Sequence, residues 1–195
     1  MNLEYSFQND YICIVNKRED ILKSALKLFV EQGEQGTSMK WIAKEARCGI
    51  GTMYNYFESK EELINVLYLE NKTKLFTSIL NKHDLTEPVK QQFNLAWLNY
   101  IDYSISNPLE AGFLQLFSHS PKISEQITDK VNELIAPLLD IFEKGKEEGI
   151  IKNQDALHLM IFTYGAITSS VFYNTNISNK NKKDLVLLAW DAIKS

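Results

Sequence analysis

The sequence predicts an all-α protein. Three observations carry that prediction: apolar residues recur every three or four positions along nearly the whole chain, strand-like alternation is hard to find, and only 8 Gly and 4 Pro interrupt 195 residues. An apolar content of 45% is enough for a packed core. The pattern resolves into about nine helices, divided into an extension (1–16), a three-helix unit containing a helix-turn-helix (17–62) and a C-terminal helical bundle (63–195).

Taken in order, the first helix is expected after Asn16, because Asn16 and Glu19 have the spacing of a capping box. Ile21, Ala25, Leu28 and Phe29 share its inner face, and Gly33 and Gly36 end it, since glycine tolerates the left-handed conformation just past a helix. Residues 1–16 form either a mobile arm or a short packed extension. A short helix from about Ser38 to Ala46 follows, with Met39, Ile42, Ala43 and Ala46 in one buried stripe. After a break at Arg47, Cys48 and Gly49 comes another short helix, in which Ile50, Met53 and Phe57 point inward together. Two short helices so closely spaced make a helix-turn-helix candidate.

Ser59 and Glu62 form a second capping box, opening a longer helix that runs towards Asn81. Thr86 and Pro88 mark the next start, followed by the buried repeat Phe93, Ala96, Trp97, Tyr100 and Ile101. Pro108 stops or redirects that helix. A shorter one is expected near Leu109 to Phe117, another from about Ser124 to Lys146, and a turn at Gly149. The last two run from Asp155 to about Tyr173 and from Lys182 to Lys194, separated by the polar turn "NISNKNKK". Ala156 to Asn179 contains no charged residue, which raises the question of a membrane span. His158, Thr163, Thr168, Ser169, Ser170 and Asn174 interrupt it and Gly165 lies in the middle, so a helix between protein surfaces is the better account.

The net charge of −4 conceals an uneven distribution. From Ser38 to Lys60 the cations Lys40, Lys44, Arg47 and Lys60 outnumber Glu45 and Glu58, whereas beyond Glu61 acidic residues outnumber lysines. A polyanion would meet the N-terminal part. The two cysteines, Cys13 and Cys48, are too few and too far apart for a disulfide scaffold or a thiolate metal site, and acidic Glu4 and Asp10 stand where an export signal would be basic. A reducing cytoplasm is expected, with no cofactor and no metal: His83, His119 and His158 lack ligand spacing.

The stretch "GIGTMYNYFESKEEL" holds the strongest functional signal. With Ile50, Met53 and Phe57 inward, the other face of the short helix offers Thr52, Asn55 and Tyr56, with Tyr54 at its margin and Gly51 permitting close approach. Such a face suits a DNA major groove: a threonine methyl can touch thymine, asparagine can pair with adenine, and tyrosine hydroxyls reach phosphates. Lys60 in the first turn of the next helix, and Thr37, Ser38 and Lys40 at the start of the preceding one, are candidate phosphate contacts.

The run from Arg18 to Tyr68, with "ILKSALKLFVEQG", "TSMKWIAKEA" and above all the stretch just quoted, resembles the DNA-binding domain of TetR/AcrR-type transcriptional regulators. The resemblance implies an all-helical homodimer that binds a pseudo-palindromic operator, usually as a repressor, and releases it when a small molecule enters the C-terminal domain. Family contacts carry over to Thr52, Tyr54, Asn55, Tyr56 and Lys60. Two positions depart from the common form. Arg47 stands where the turn often has glycine, leaving turn geometry or a further phosphate contact open, and Gly49 replaces a frequent serine, removing a helix cap.

In the C-terminal part, aromatic residues exceed what a small bundle needs. Trp97, Tyr100, Phe117 and Phe162, with Tyr103 or His119 as a polar group, are the candidate lining for an apolar or aromatic effector. The terminal helix is apolar nearly all round, so one flank covers the core and another needs a partner. Leu159, Ile167, Val171, Leu185, Leu188, Ala189 and Ala192 are the candidate dimer contacts. Cys48 reads as a small hydrophobe of the turn before a redox sensor. The rival functions are a DNA-binding dimer without an effector, serving architecture or replication control, and an enzyme. No phosphate-binding glycine loop, nucleophile elbow or zinc signature supports the latter.

Overall fold

The glycine-poor apolar repeat forms helices along the chain, and a computed structural model describes residues 3–174 and 176–195, with side chains from residue 17 onward. Among the described residues these are α1 (Leu3–Gly36), α2 (Met39–Glu45), α3 (Ile50–Tyr56), α4 (Lys60–Ile79), α5 (Val89–Ser106), α6 (Pro108–Phe117), α7 (Glu125–Glu147), α8 (Ala156–Tyr173) and α9 (Asn179–Ile193). An isolated antiparallel bridge joins Ile151 to Lys194.

Two boundaries differ from those predicted, each for its own physical reason. The capping-box spacing of Asn16 and Glu19 does not start α1, which is already helical from Leu3, because the preceding segment holds neither Gly nor Pro to break it. The opposite holds at α9, which starts at Asn179 and not Lys182: the Ser178 hydroxyl accepts from the Asn181 N–H at 3.2 Å, so a segment read as a polar turn is a capped first turn. Gly33 interrupts α1 with φ 71° and ψ 174°, a conformation open to glycine alone.

The chain divides into two compact units. The first takes the described residues up to Asn71 together with Leu109–Ile127; the second is Lys72–Pro108 with Thr128–Ser195. The division falls inside α4, beyond the predicted limit at residue 62, and α6 joins the first unit. Aromatic packing explains why: the Phe29 ring of α1 lies 6.0 Å from that of Phe113 and 5.6 Å from that of Phe117. All three are buried, each contributing roughly 1.5–3 kcal/mol. Asn65 of α4 ties down the segment after α6: its amide donates to Lys122 O at 2.7 Å and its oxygen accepts from Ser124 N–H at 2.8 Å.

In the second unit α5 supplies the predicted inner stripe, with Phe93, Ala96, Trp97, Tyr100 and Ile101 all buried. Phe93 packs on Phe142 of α7 at 5.9 Å and on Trp190 of α9 at 5.2 Å. Among the described residues α8 alone is long and apolar enough to cross a membrane. Its inner face, with Leu159, Thr163, Ile167 and Val171, is buried, and it packs against α5 and α9. The Thr163 hydroxyl is satisfied by the Leu159 carbonyl at 3.0 Å, and Thr168 Oγ1 lies 2.6 Å from the Tyr100 hydroxyl.

Candidate functional site

The turn between α2 and α3 sets the first site. Ser38 caps α2, its hydroxyl accepting from the Trp41 N–H at 3.2 Å, worth about 1 kcal/mol. At the other end the Arg47 N–H donates to Lys44 O at 3.1 Å and the Cys48 N–H to Ala43 O at 2.9 Å. These are the two bonds of a Schellman motif, and they require a left-handed residue, which is Arg47 at φ 52°. The turn therefore keeps the geometry a glycine would give it, with a cation attached. Gly49 takes the N-cap position of α3 without any side-chain bond.

α3 has two unlike faces. Met53 and, just past the helix, Phe57 are buried, while Gly51, Thr52, Tyr54 and Asn55 are exposed and Tyr56 is half-buried. A Cβ built on Gly51 would meet nothing within 4 Å, so the chain's own packing does not demand glycine there. Ile50 corrects the predicted inward stripe: it is 44% exposed, because the first residue of α3 faces Trp41 and not the core. With Ser38, Lys40, Trp41 and Lys44 it lines a shallow concavity of about 520 Å³. Trp41 and Lys44 were absent from the predicted contacts; the local excess of cations was the signal for the lysine.

Two predicted phosphate contacts have other work. Thr37 is 1% exposed, and its hydroxyl lies 2.8 Å from Gly33 O and 3.0 Å from Leu28 O, closing the end of α1. Buried under that helix end, it has no access to a ligand. Lys60 is half-buried, and its ammonium donates to Glu34 O at 3.0 Å and Thr37 O at 3.3 Å. A cation is favourable at carbonyls left over by a helix C-terminus. Ser38, Lys40 and Arg47 are exposed. Cys48 is half-buried, and burial pushes its thiol up from the ordinary range, which favours the packing role over a reactive thiolate.

The predicted effector lining is not brought together. Phe117 and His119 belong to the first unit, where Phe117 is core and His119 is exposed. Phe162 is 58% exposed on α8, and Tyr103 is half-buried. Tyr100 is buried with its hydroxyl on Thr168, and burial pushes its phenol well above the ordinary range. Trp97 does line a cavity of about 170 Å³ within the second unit, with Lys72 and Phe76 of α4, Leu138 of α7, and Met160 and Tyr164 of α8. Lys72 had no signal in the sequence beyond its place on a helix. Burial pushes its pKa down to about 8.

Of the predicted dimer contacts, Leu159, Ile167, Val171 and Ala189 are buried within the second unit and have little surface left to offer. Leu185 is half-buried, while Leu188 and Ala192 are exposed. Helical spacing alone cannot tell the core-facing stripe of an all-round apolar helix from the outer one. The outer stripe consists of Leu157, Ile161 and Phe172 on α8 and Leu187 and Leu188 on α9.

Comparison with known proteins gives two family matches, one to the N-terminal part of the chain and one to the remainder. "Bacterial regulatory proteins, tetR family" matches residues 21–67, and "Tetracyclin repressor-like, C-terminal domain" matches residues 88–194. An HTH-type transcriptional regulator of Bacillus subtilis, YuxN, is 32% identical over 67% of this chain, and the matched stretch spans 47% of that relative's own length. The Tn10 TetC protein of Escherichia coli is 29% identical over 76% of this chain and 75% of its own. A solved structure assigned to tetR family transcription regulators, from Shewanella sp. PV-4, superposes with a TM-score of 0.83 at 26% identity, covering 92% of this chain and 98% of that one.

Proposed function

The chain belongs to the tetR family of bacterial regulatory proteins, and from that premise we propose that it is a ligand-responsive transcriptional repressor, acting in the cytoplasm as a homodimer on a pseudo-palindromic operator. The observation that carries this reading is the two-faced α3, with Met53 and Phe57 held inward and Gly51, Thr52, Tyr54 and Asn55 exposed together. Thr52 and Asn55 read base edges in the major groove. Tyr54 and Tyr56 hydroxyls, Ser38, Lys40 and Arg47 hold the phosphates on either side. An ammonium has three N–H donors, and two from Lys60 go to backbone carbonyls, which leaves it one for a phosphate. Operator binding fits only a duplex whose half-sites match the spacing of two reading heads, about 34–36 Å.

α4 is the link to the effector. Its first turn follows α3 directly, and Lys72, about three turns on, and Phe76, one turn further, line the cavity of the second unit. A ligand that shifts this helix changes the separation of the reading heads. A coupling of about 1–3 kcal/mol changes operator affinity by roughly 5–150 fold.

Selection of bound duplexes from a random pool tests the reading. The expected product is a palindrome, against which Asn55→Ala loses about 1–3 kcal/mol mainly at one base position, while Lys40→Ala weakens all sequences alike and lowers the salt slope by about 1. A pool that yields no enriched sequence would refute it.

A further inference from the structure

The concavity between α2 and α3 pairs hydrocarbon with positive charge. Trp41 and Ile50 are 45% and 44% exposed, and with Lys40 and Lys44 they line its wall. No carboxylate is among the described residues of that wall. Glu45, beside Lys44 in the chain, pairs instead with Lys27 of α1 at 2.8 Å. A single exposed apolar side chain is ordinary. Two large ones on one concavity, flanked by two exposed lysines, suit an apolar group carried on a polyanion. Ile50 opens α3 and stands one turn before Tyr54, at the edge of the exposed sector that holds Gly51, Tyr54 and Asn55. Side chains at the start of a recognition helix meet base edges. A Cβ on the adjoining Gly51 would meet nothing within 4 Å, so the backbone beside Ile50 is open to close approach by a duplex.

Isoleucine has neither donor nor acceptor, so it cannot repay a polar base edge for the water it displaces. Among the groups that the four bases present in the major groove, the C5-methyl of thymine is the apolar one. We propose that Ile50 is a specificity-determining residue that packs on the C5-methyl of one thymine in each operator half-site, backed by the Trp41 indole, while Lys44 joins Lys40 at the flanking phosphates. The proposal rests on the regulator reading above and names a base that reading leaves open. Thr52, whose own methyl also suits thymine, projects about 160° away from Ile50 around a helix of 3.6 residues per turn, so the two do not share one methyl group.

Replacing the thymines of the selected operator by deoxyuridine, one symmetric pair at a time, tests it, because the change removes the methyl and keeps the base pair. Fluorescence anisotropy with the full chain is expected to show one pair at which affinity falls by about 10–25 fold, roughly three- to fivefold for each methyl no longer buried. Ile50→Ala abolishes that difference with an unchanged circular dichroism spectrum, and Ile50→Val keeps part of it; Ile50→Ser replaces Ile50→Ala if the latter does not fold. Trp41→Ala reduces the difference without changing the salt slope, whereas Lys44→Ala lowers the slope and leaves the difference intact. Thr52→Ser, measured in parallel, identifies any thymine that Thr52 reads. Deoxyuridine tolerated at every position, or no sensitive position that Ile50→Ala relieves, overturns the proposal. Either result leaves the regulator reading standing, since the operator is still bound; a pool with no enriched sequence removes both.

Discussion

Arg47 and Gly149 occupy the same position of the same motif, the left-handed residue after a helix, at φ 52° and φ 69°. After α7 the Gly149 N–H donates to Lys146 O at 3.0 Å and the Ile150 N–H to Gly145 O at 2.9 Å, matching the pair of bonds after α2. A side chain in this conformation costs roughly 1–2 kcal/mol. Nothing lies within 4 Å of a Cβ built on Gly149, so there the cost would be conformational only. Arg47→Gly is therefore expected to stabilise the protein by about 1 kcal/mol and Gly149→Ala to destabilise it by a similar amount, measured by denaturant unfolding. The same Arg47→Gly change removes an exposed cation beside α3, so duplex affinity should fall as stability rises. A stabilising change that leaves operator binding intact would show that the arginine serves neither purpose. Residue type was legible in the sequence at such sites, but direction was not. Thr37 and Lys60 carry the right chemistry for a phosphate, yet backbone carbonyls at and just past the end of α1 take the Thr37 hydroxyl and two of the Lys60 donors.

At the scale of elements, most helices bounded by glycine, proline or a capping hydroxyl were legible almost to the residue, α9 with its Ser178 cap being the exception. α2, α3 and α4 start where Ser38, Gly49 and Ser59 imply, and α6 starts at Pro108. The α4 capping box is formed with one variation: Ser59 Oγ accepts from Glu62 N–H at 3.0 Å, but the Glu62 carboxylate reaches back to the Glu58 N–H at 2.6 Å. What the periodicity cannot carry is which side of a helix meets which neighbour. The cavity draws on α4, α5, α7 and α8, four segments with no shared motif, so Lys72 became visible only in three dimensions. Glycines inside helices show the same dependence on neighbours. A Cβ on Gly145 of α7 would collide with Ile151 Cδ1, lie 2.8 Å from Ile151 Cγ1 and touch Val89 Cγ1 at 3.0 Å. On Gly112 of α6 it would make an ordinary contact with Val30 at 3.5 Å. Gly145→Ala should cost about 1–3 kcal/mol through overpacking, whereas Gly112→Ala should gain roughly 0.5–1 kcal/mol of helix stability. Thermal melts in which both changes move in the same direction would contradict the packing described for α7.

The whole molecule carries an outer apolar stripe that one chain does not cover. Leu157, Ile161 and Phe172 recur on one side of α8, with Gly165 and Ser169 between them, and Leu188 of α9 is 68% exposed. Small residues between large ones allow a second helix to approach closely, and we propose that these exposed apolar residues form the interface between two copies. A second copy supplies the same stripe, which suits the isologous contact of a twofold dimer. Dimerisation and operator binding are then coupled through avidity: a single reading head gains only its own contacts, while two tethered heads bind the second half-site as an intramolecular event. Phe172→Glu together with Leu188→Glu places charge on the strip without touching α1–α3 or the wall of the cavity. Sedimentation should show a shift to monomer, and affinity for a palindromic duplex should fall by at least the roughly 100-fold typical of lost bivalency, while binding to a single half-site is unchanged. If the doubly charged variant stays dimeric, the interface lies elsewhere; if it becomes monomeric with full operator affinity, the two heads do not act together.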